Sequence, residues 1–276
     1  MSDGENRISR TIDVTTPSVA RMSDWLLGGV ENYEADQRAC RRVLRIAPEI
    51  RQAARDSRRF LQRAVRVLAE EHGVRQFIEL GSGLPTHDNV HQVVQRVDPR
   101  SRVVYVDADP TALAYGRTTL QENSNTIFLH ADLRLTDHIF GHRDMQRLID
   151  FRQPVAVLLV SVLHCLPDGD NPAGLVRNVA RALPRGSFVA VSQLVCEVPE
   201  VQEAVSAVMR EETRGNWGRV RQAEQVRAFL EGMDVLPPGL VDVAAWPDSP
   251  ATVQGPAAGC VEWGGVARVP VGRAGL

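Results

Sequence analysis

Arg75-Gln-Phe-Ile-Glu-Leu-Gly-Ser-Gly-Leu-Pro-Thr86 is the stretch of this chain that decides its fold. Its apolar strand pattern ends in a glycine turn, a helical pattern follows over Asn89–Val97, and a second strand pattern, Val103–Val106, ends at Asp107. A strand, a glycine turn, a helix and an acid-terminated strand form the first unit of a nucleotide-binding α/β sheet. The glycines let the backbone come close to a ligand, and the acid can accept hydrogen bonds from ribose hydroxyls.

Strand and helix patterns alternate from Gln76 onward, which predicts a mostly parallel, Rossmann-like sheet flanked by helices. The continuous apolar run Val155–Val162 is typical of a central strand that is covered on both faces. The last two strand patterns, Leu240–Trp246 and Cys260–Val269, predict an antiparallel pair joined by the loop Pro247–Gly259. The other predicted strands are Gln76–Leu80, Thr126–His130 and Ser187–Leu194, and the other predicted helices are Pro110–Gln121, Pro172–Leu183, a stretch after Glu197, and Arg221–Glu231.

The chain before the sheet is predicted to be helical. Ser18 can cap a short helix that ends at Gly28, a second helix covers Tyr33–Ile46, and a third covers Glu49–His72. We therefore expect a flexible tail over residues 1–16, a helical cap over residues 17–72 and an α/β core over residues 73–276. Cap and core are expected to form one compact unit.

Composition excludes several classes of function. All 32 basic residues are arginine, which excludes a Walker A loop and Schiff-base chemistry, because both require lysine. The net charge of −2 does not indicate a nucleic-acid partner, and the longest apolar run is too short to cross a membrane. Four cysteines without a CxxC pair, and no signal-peptide pattern, predict a cytoplasmic protein. The sequence does not fix the oligomeric state.

The glycine turn favours a ligand without phosphates. A dinucleotide fingerprint requires a third glycine at position 86, where this chain has Thr86 preceded by Pro85. Glu79, two residues before Gly81, would repel a pyrophosphate and attract an ammonium group. S-adenosylmethionine (SAM) carries an amino acid end, a ribose and an adenine, and no phosphate. The sequence therefore predicts SAM as the cofactor.

Three further elements are predicted to converge on the same crevice, since ligands in open α/β sheets lie beyond the carboxyl ends of the strands. Asp107 would hold the ribose. Asp132 would accept a hydrogen bond from the adenine amino group, with Leu133 beside the ring. Ser161 and His164 end the central strand, close to where the methyl group would lie.

These residues resemble a class I SAM-dependent methyltransferase. The segment Pro17–Tyr33 and the glycine turn followed by Asn89-Val-His91 are similar to a narrower group, the bacterial S-adenosyl methyltransferase family, formerly a domain of unknown function. The resemblance covers roughly Pro17 to Val269. It implies a seven-stranded, mostly parallel sheet whose last strand is antiparallel, with an N-terminal helical cap.

The resemblance also implies roles for individual residues. The cap would close over the methionine end of SAM, where Arg21 would pair with the carboxylate and Asn32 or Tyr33 would make contact. Two positions depart from the family pattern, Ser23 in place of tyrosine and Gln193 in place of histidine, so a proton-transfer role at position 193 is not expected to carry over. The predicted cofactor-binding residues are Arg21, Asn32, Tyr33, Glu79, Gly81, Ser82, Gly83, Asp107, Ala108, Ala131, Asp132, Leu133 and Ser161.

The acceptor half of the site is less well defined. His164 is either a general base, the role for which histidine is suited near neutral pH, or a histidine packed at a strand end. Trp217 either stacks on an organic acceptor or packs in the interior. The pairs His87/His91 and His138/His142 have helical metal-ligand spacing without a third ligand nearby, so no metal site is expected.

The resulting hypothesis is a methyltransferase that transfers a methyl group from SAM to an unidentified small molecule. The alternative is a non-catalytic sensor or partner-binding module for SAM or its demethylated product. A NAD-dependent dehydrogenase is disfavoured, because the third glycine and the lysine of a Tyr-x-x-x-Lys pair are both missing.

Overall fold

The computed structural model describes residues 12–120, 123–247 and 259–270 of the chain. Most of the predicted tail and most of the predicted loop Pro247–Gly259 lie outside these residues. No helix in the described part is long and apolar enough to cross a membrane. The helices are α1 Val19–Leu27, α2 Glu34–Ile46, α3 Ile50–Glu70, α4 Val90–Val97, α5 Pro110–Tyr115, α6 Thr136–Gly141, α7 Arg143–Leu148, α8 Pro172–Ala182, α9 Pro199–Glu212 and α10 Ala223–Arg227.

The strands form a single mixed sheet in the order β3-β2-β1-β4-β5-β8-β6, with β7 also paired to β8. The first five strands are parallel, and β8 runs antiparallel to β5. The predicted Rossmann-like sheet with an antiparallel last strand is confirmed. The strands are β1 Gln76–Leu80, β2 Arg102–Asp107, β3 Thr126–His130, β4 Ala156–Val160, β5 Phe188–Cys196, β6 Asp234–Val235, β7 Val241–Asp242 and β8 Cys260–Arg268.

The sheet has eight strands where seven were expected, because two short strands share one edge. Both β6 and β7 pair antiparallel with β8, one opposite Arg268 and the other opposite Gly264. Pro237 and Pro238 lie between them and have no N–H group to donate to a continuous ladder. The predicted strand Leu240–Trp246 is accordingly reduced to two residues, followed by a 3₁₀ turn.

The three N-terminal helices form as the sequence predicts. The Ser18 side chain accepts a hydrogen bond from the Arg21 N–H at the start of α1, and Gly28 ends that helix in the left-handed conformation (φ 92°). Helix α2 ends two residues before Pro48. All three helices lie before the first strand in the chain, and residues of α1 and α3 lie at the carboxyl edge of the sheet.

Helix α3 fastens the N-terminal helices to the sheet. Its buried face, which includes Phe60, Leu61 and Ala64, packs in one hydrophobic cluster with side chains of β1, β4, β5 and β8. Phe60 meets Trp246 edge to face, with ring centroids 5.3 Å apart. Side chains of α6, α7, α8 and α10 form a second cluster on the opposite face of the sheet. Burial on both faces explains why the central strand β4 is a continuous apolar run.

Several elements differ from the sequence pattern. The predicted helix Pro110–Gln121 is α-helical only as far as Tyr115. Residues Gly116–Leu120 form a π-helical turn after it. The predicted helix Arg221–Glu231 becomes α10 followed by a 3₁₀ turn. Helices α6 and α7 were not predicted, because each is only six residues long and shows too few turns for a helical period.

Candidate functional site

A cavity of about 770 Å³ opens at the carboxyl ends of β1 to β4. The chain passes from β1 outward to β2 and β3, then returns to place β4 on the other side of β1, so a topological switch point lies between β1 and β4. Such switch points are where open α/β sheets bind ligands. Helices α1 and α3 and the loop Arg214–Asn216 enclose the remaining walls.

The glycine turn after β1 lies at the centre of this cavity. Gly81 and Gly83 have φ angles of 77° and 63°, a region that favours glycine. A β-carbon at Gly81 would overlap the Val162 side chain, whereas one at Gly83 would meet nothing within 4 Å. The Ser82 hydroxyl also faces this region and is buried without a hydrogen-bond partner among the described residues. The turn therefore offers a backbone surface and a free hydroxyl to a ligand.

Asp107 holds the turn in place from the end of β2. One carboxylate oxygen accepts a hydrogen bond from the Gly83 N–H at 2.7 Å, and the other accepts one from the Asp109 N–H at 2.8 Å. Burial raises the pKa of Asp107 to about 6, although these two N–H groups act in the opposite direction. Asp109 itself caps α5 by accepting from the N–H groups of Thr111 and Ala112.

Glu79 is a second buried acid in the cavity wall, with only 5% of its surface exposed. Burial raises its pKa to about 7, the Arg58 guanidinium lowers it, and Asp107 raises it further. Two carboxyl groups with raised pKa values therefore lie in one cavity. A cationic ligand would favour the ionised form of both.

The adenine region predicted from the sequence also lines the cavity. Ala131, Asp132 and Leu133 follow β3, and Ala108 follows β2. The Asp132 carboxylate forms an ion pair with Arg134. The backbone oxygen of Ala108 accepts a hydrogen bond from the ring of His130. The structure thus brings these residues together beside Asp107 at the end of β2.

Ser161 ends β4 in a strained conformation. Its φ of 56° is unusual for a residue with a side chain, and such strain clusters at functional sites. Its N–H donates to the backbone oxygen and to the hydroxyl of Ser192 on β5, at 3.0 and 3.1 Å. Ser161 lines the cavity directly beyond the carboxyl end of the central strand.

Arg21 reaches the cavity wall, but its guanidinium is already engaged. It forms an ion pair with Asp36 at 2.9 Å and donates to the Thr111 hydroxyl and to the backbone oxygens of Asp13 and Thr16. The Arg21 and Asp36 side chains are 2% and 0% exposed. This geometry favours a structural role, holding α1 to α2 and α5, over direct pairing with a ligand carboxylate.

Asn32 and Tyr33 lie outside the cavity lining. The Asn32 amide donates to the Asp24 carboxylate, which also accepts the Glu31 N–H. Tyr33 is 41% exposed, and its ring lies under the Arg21 guanidinium. Both residues therefore contact the cavity only through Asp24 and Arg21, which do line it.

His164 also lies away from the cavity. Its ring stacks on Trp217 with centroids 4.4 Å apart, and its Nδ1 accepts the Leu194 N–H at 3.3 Å. Burial lowers the pKa of His164 to about 3, and the nearby Arg221 lowers it further. These features favour the packed histidine over the general base, and the 5% exposed Trp217 favours packing over stacking on an acceptor.

Gln193 points to the opposite face of the sheet from the cavity. Its side-chain oxygen accepts a hydrogen bond from Arg221, which also donates to Asp168 and to the backbone oxygens of Leu163 and Leu166. Gln193 therefore belongs to the network that holds the loop after β4 and is not part of the cavity lining.

The lining residues that sequence reasoning missed include three polar side chains, those of Asp24, Ser57 and Arg58. Asp24 is buried at the end of α1, and burial raises its pKa. Ser57 and Arg58 come from α3, where Ser57 lies on the same helical face as the apolar Ala54 and Leu61. A polar residue inside an apolar stripe is the signal that would have found Ser57.

In the described ranges no group of three His, Cys, Asp or Glu side chains is arranged to hold a metal.

The fold, with its switch-point cavity, glycine turn and strand-end acids, defines a class I SAM-dependent methyltransferase. The sequence model of the S-adenosyl methyltransferase family matches residues 5–270, and the chain belongs to that family. A search of the curated proteins gave no significant match.

Two solved structures agree with this assignment. The chain is 36% identical to a protein of Thermobifida fusca YX that carries a provisional assignment as a methyltransferase, with a TM-score of 0.84 over 94% of this chain and 97% of that one. It is 33% identical to a DUF574 family protein of Streptomyces avermitilis MA-4680, with a TM-score of 0.84 over 94% of this chain and all of that one.

Proposed function

We propose that this methyltransferase holds SAM along the carboxyl ends of β1, β2 and β3 and methylates a small molecule bound beside β4. The observation that carries the proposal is the meeting of Glu79, Asp107 and the glycine turn in one cavity. SAM carries one net positive charge, and the two buried acids offer the complementary charge. The unpartnered Ser82 hydroxyl offers an additional hydrogen bond to the bound cofactor.

The proposed contacts follow the order of the strands. Glu79, Gly81, Ser82 and Gly83 hold the amino acid end of SAM, and Asp107 with Ala108 holds the ribose. Ala131, Asp132 and Leu133 surround the adenine. Ser161 lies next to the position of the methyl group. The residues needed for binding are thus supplied by three consecutive strand ends.

A small-molecule acceptor fits the space that remains. Pockets for small ligands have volumes of about 300 to 1,000 Å³, and the whole cavity, at about 770 Å³, falls within that range. Helices α1 and α3 and the loop Arg214–Asn216 enclose its outer side. Methyl transfer in such a site depends chiefly on holding the acceptor nucleophile in line with the methyl group.

We further propose that residues 17–72 form a cap that folds together with the core and closes over the methionine end of SAM. Support comes from Arg21, which links α1 to α2 and α5, and from the Ser18 hydroxyl, which donates to Asp109.

The four cysteines are free thiols, which is consistent with a cytoplasmic location.

Two measurements test the proposed function. Isothermal titration calorimetry with SAM is expected to give saturable one-site binding, and no detectable binding by folded protein would contradict the proposal. Incubation with methyl-labelled SAM and a fractionated metabolite extract is expected to move the label into a small molecule. Label that remains in SAM across all fractions would contradict catalysis on a small acceptor.

A further inference from the structure

A buried acid lies behind the cavity, on a strand that contributes nothing to the proposed SAM contacts. Glu262 on β8 is only 2% exposed, and neither carboxyl oxygen makes a hydrogen bond of good geometry among the described residues. A buried carboxyl group without well-formed hydrogen bonds is destabilising, so its presence requires a specific explanation. Glu262 faces three hydroxyl groups, those of Ser57, Ser161 and Ser192.

The three serines connect this acid to the cavity. Ser57 and Ser161 line the cavity wall. The Ser57 and Ser192 hydroxyls are 3.3 Å apart, and the Ser192 hydroxyl accepts the Ser161 N–H at 3.1 Å. Hydroxyl groups both donate and accept hydrogen bonds, so a row of them can pass a proton between the cavity and Glu262.

The cluster lies on the acceptor side of the site. In the sheet, β4, β5 and β8 lie on one side of β1. Strands β2 and β3 lie on the other side and end at the residues proposed to hold the ribose and the adenine. Ser161 follows β4, Ser192 is on β5 and Glu262 is on β8. A molecule bound beside β4 would therefore contact Ser57 and Ser161.

The surroundings of Glu262 keep it protonated at neutral pH in the free protein. Burial raises its pKa to about 8; the three serine hydroxyls act to lower the pKa, and Asp242 on β7 acts to raise it. The charge of Glu262 in turn acts to raise the pKa of the Cys165 thiol, which lines the cavity. A positive charge in the cavity would favour the carboxylate form.

We propose that Glu262 receives the proton that the methyl acceptor gives up, with Ser57 and Ser161 as the relay, and that the acceptor nucleophile is therefore an N–H or O–H group. This inference rests on the proposed SAM site. It makes Glu262 a positioning and proton-accepting residue that acts through the serines.

The transfer step balances in atoms and charge. The acceptor nitrogen or oxygen forms a bond to the methyl carbon as the carbon–sulfur bond breaks, and the bonding pair remains on sulfur. The acceptor proton passes to a serine hydroxyl, and the hydroxyl proton passes to the Glu262 carboxylate. One positive and one negative charge in the cavity are both neutralised, so the step creates no uncompensated buried charge.

The inference predicts that SAM binding releases a proton from Glu262, whereas binding of S-adenosylhomocysteine (SAH), which lacks the sulfonium charge, does not. The test is calorimetry at pH 7 in two buffers that differ in ionisation enthalpy. In the unmodified protein the excess of proton release with SAM over SAH is expected to reach up to roughly one proton per site. In Glu262→Gln the part of this excess that comes from Glu262 is expected to disappear while SAM still binds, and the part that comes from Glu79 is expected to remain.

Exposed Glu224→Gln is the matched control and is expected to keep the excess. An unchanged excess in folded, SAM-binding Glu262→Gln would overturn the inference and leave the proposed SAM site intact. Absence of SAM binding in the unmodified protein would instead overturn the proposed function.

A second variant keeps the test independent of the folding of Glu262→Gln. At saturating SAM, Glu79→Gln is expected to retain the Glu262 part of the proton release. If Glu79→Gln abolishes the entire excess of proton release with SAM over SAH, Glu262 does not lose a proton in response to the sulfonium charge, and the inference fails.

Discussion

At the residue scale, Asp107 serves the glycine turn as well as the proposed ribose contact. Because its carboxylate already accepts the Gly83 and Asp109 N–H groups, its removal would loosen the turn. Asp107→Ala is therefore expected to weaken SAM binding by roughly 10- to 100-fold, equivalent to about 1.5 to 3 kcal/mol of charge-assisted hydrogen bonding. Calorimetric affinity measures this, with the exposed Glu224→Gln as a control. Unchanged affinity would remove Asp107 from the site.

The two glycines of the turn are expected to differ in their tolerance of a side chain. Gly81→Ala places a β-carbon into Val162, on top of the cost of a positive φ, whereas Gly83→Ala carries only the conformational cost of about 1 kcal/mol. Thermal denaturation should therefore show a larger loss of stability for Gly81→Ala. Equal losses in the two variants would mean that the close approach to Val162 does not constrain the turn.

The acids of the cavity also predict how SAM affinity depends on pH. Glu79, with a pKa of about 7, and Asp107, with a pKa of about 6, become neutral as the pH falls, and the cavity loses its attraction for a cation. SAM affinity is expected to fall between pH 8 and pH 5.5, by up to about tenfold per pH unit between pH 7 and pH 6 and more steeply below pH 6, where both acids take up protons. Calorimetry across this range should show a weaker dependence in Glu79→Gln. A flat profile in the unmodified protein would contradict the role of these acids.

At the scale of elements, Asp36 holds the N-terminal helices together. Its carboxylate accepts from Arg21 and from the N–H groups of Ser18 and Tyr33. Because removal of one member of a buried ion pair costs about 3 to 5 kcal/mol, Asp36→Asn is expected to lower the melting temperature markedly. Exposed Glu34→Gln on the same helix makes the same chemical change and should have little effect. Similar melting temperatures for the two variants would show that the buried pair does not hold the cap.

The strands also show how far sequence patterns predict the bounds of secondary-structure elements. Strands β1 and β3 have exactly the predicted bounds, because in each an apolar run is framed by turn residues. Strand β4 is shorter than the predicted strand Val155–Val162, because the backbone turns at Ser161 into a positive φ that the hydrophobicity pattern does not encode. The following 3₁₀ turn, Leu163–Cys165, carries His164 towards Trp217 and away from the cavity.

At the scale of the whole molecule, Glu262 makes stability depend on pH. Its pKa rises from 4.5 in the unfolded chain to about 8 in the folded protein, so the unfolded state loses the proton first, and stability is lost as the pH rises from 4.5 to 8. Glu262→Gln does not titrate. Its melting temperature relative to the unmodified protein is therefore expected to be higher at pH 9 than at pH 5, by an amount that corresponds to a few kcal/mol.

Thermal melts of the unmodified protein, Glu262→Gln and Glu224→Gln at the two pH values measure this effect. The control variant should follow the unmodified protein, because Glu224 is exposed. A difference between Glu262→Gln and the unmodified protein that stays constant with pH would show that Glu262 ionises normally in the fold.

The sequence by itself determined the alternation of strands and helices, the glycine turn, the acids at the strand ends and, through them, the family and its cofactor. These features are local, since each follows from the spacing of a few neighbouring residues. The tertiary structure decided which side chains are free to act. It engaged Arg21 with Asp36, buried His164 against Trp217, and brought Ser57 from an N-terminal helix to Glu262 on the last strand. Such contacts join residues that are not neighbours in the chain, and only tertiary packing creates them.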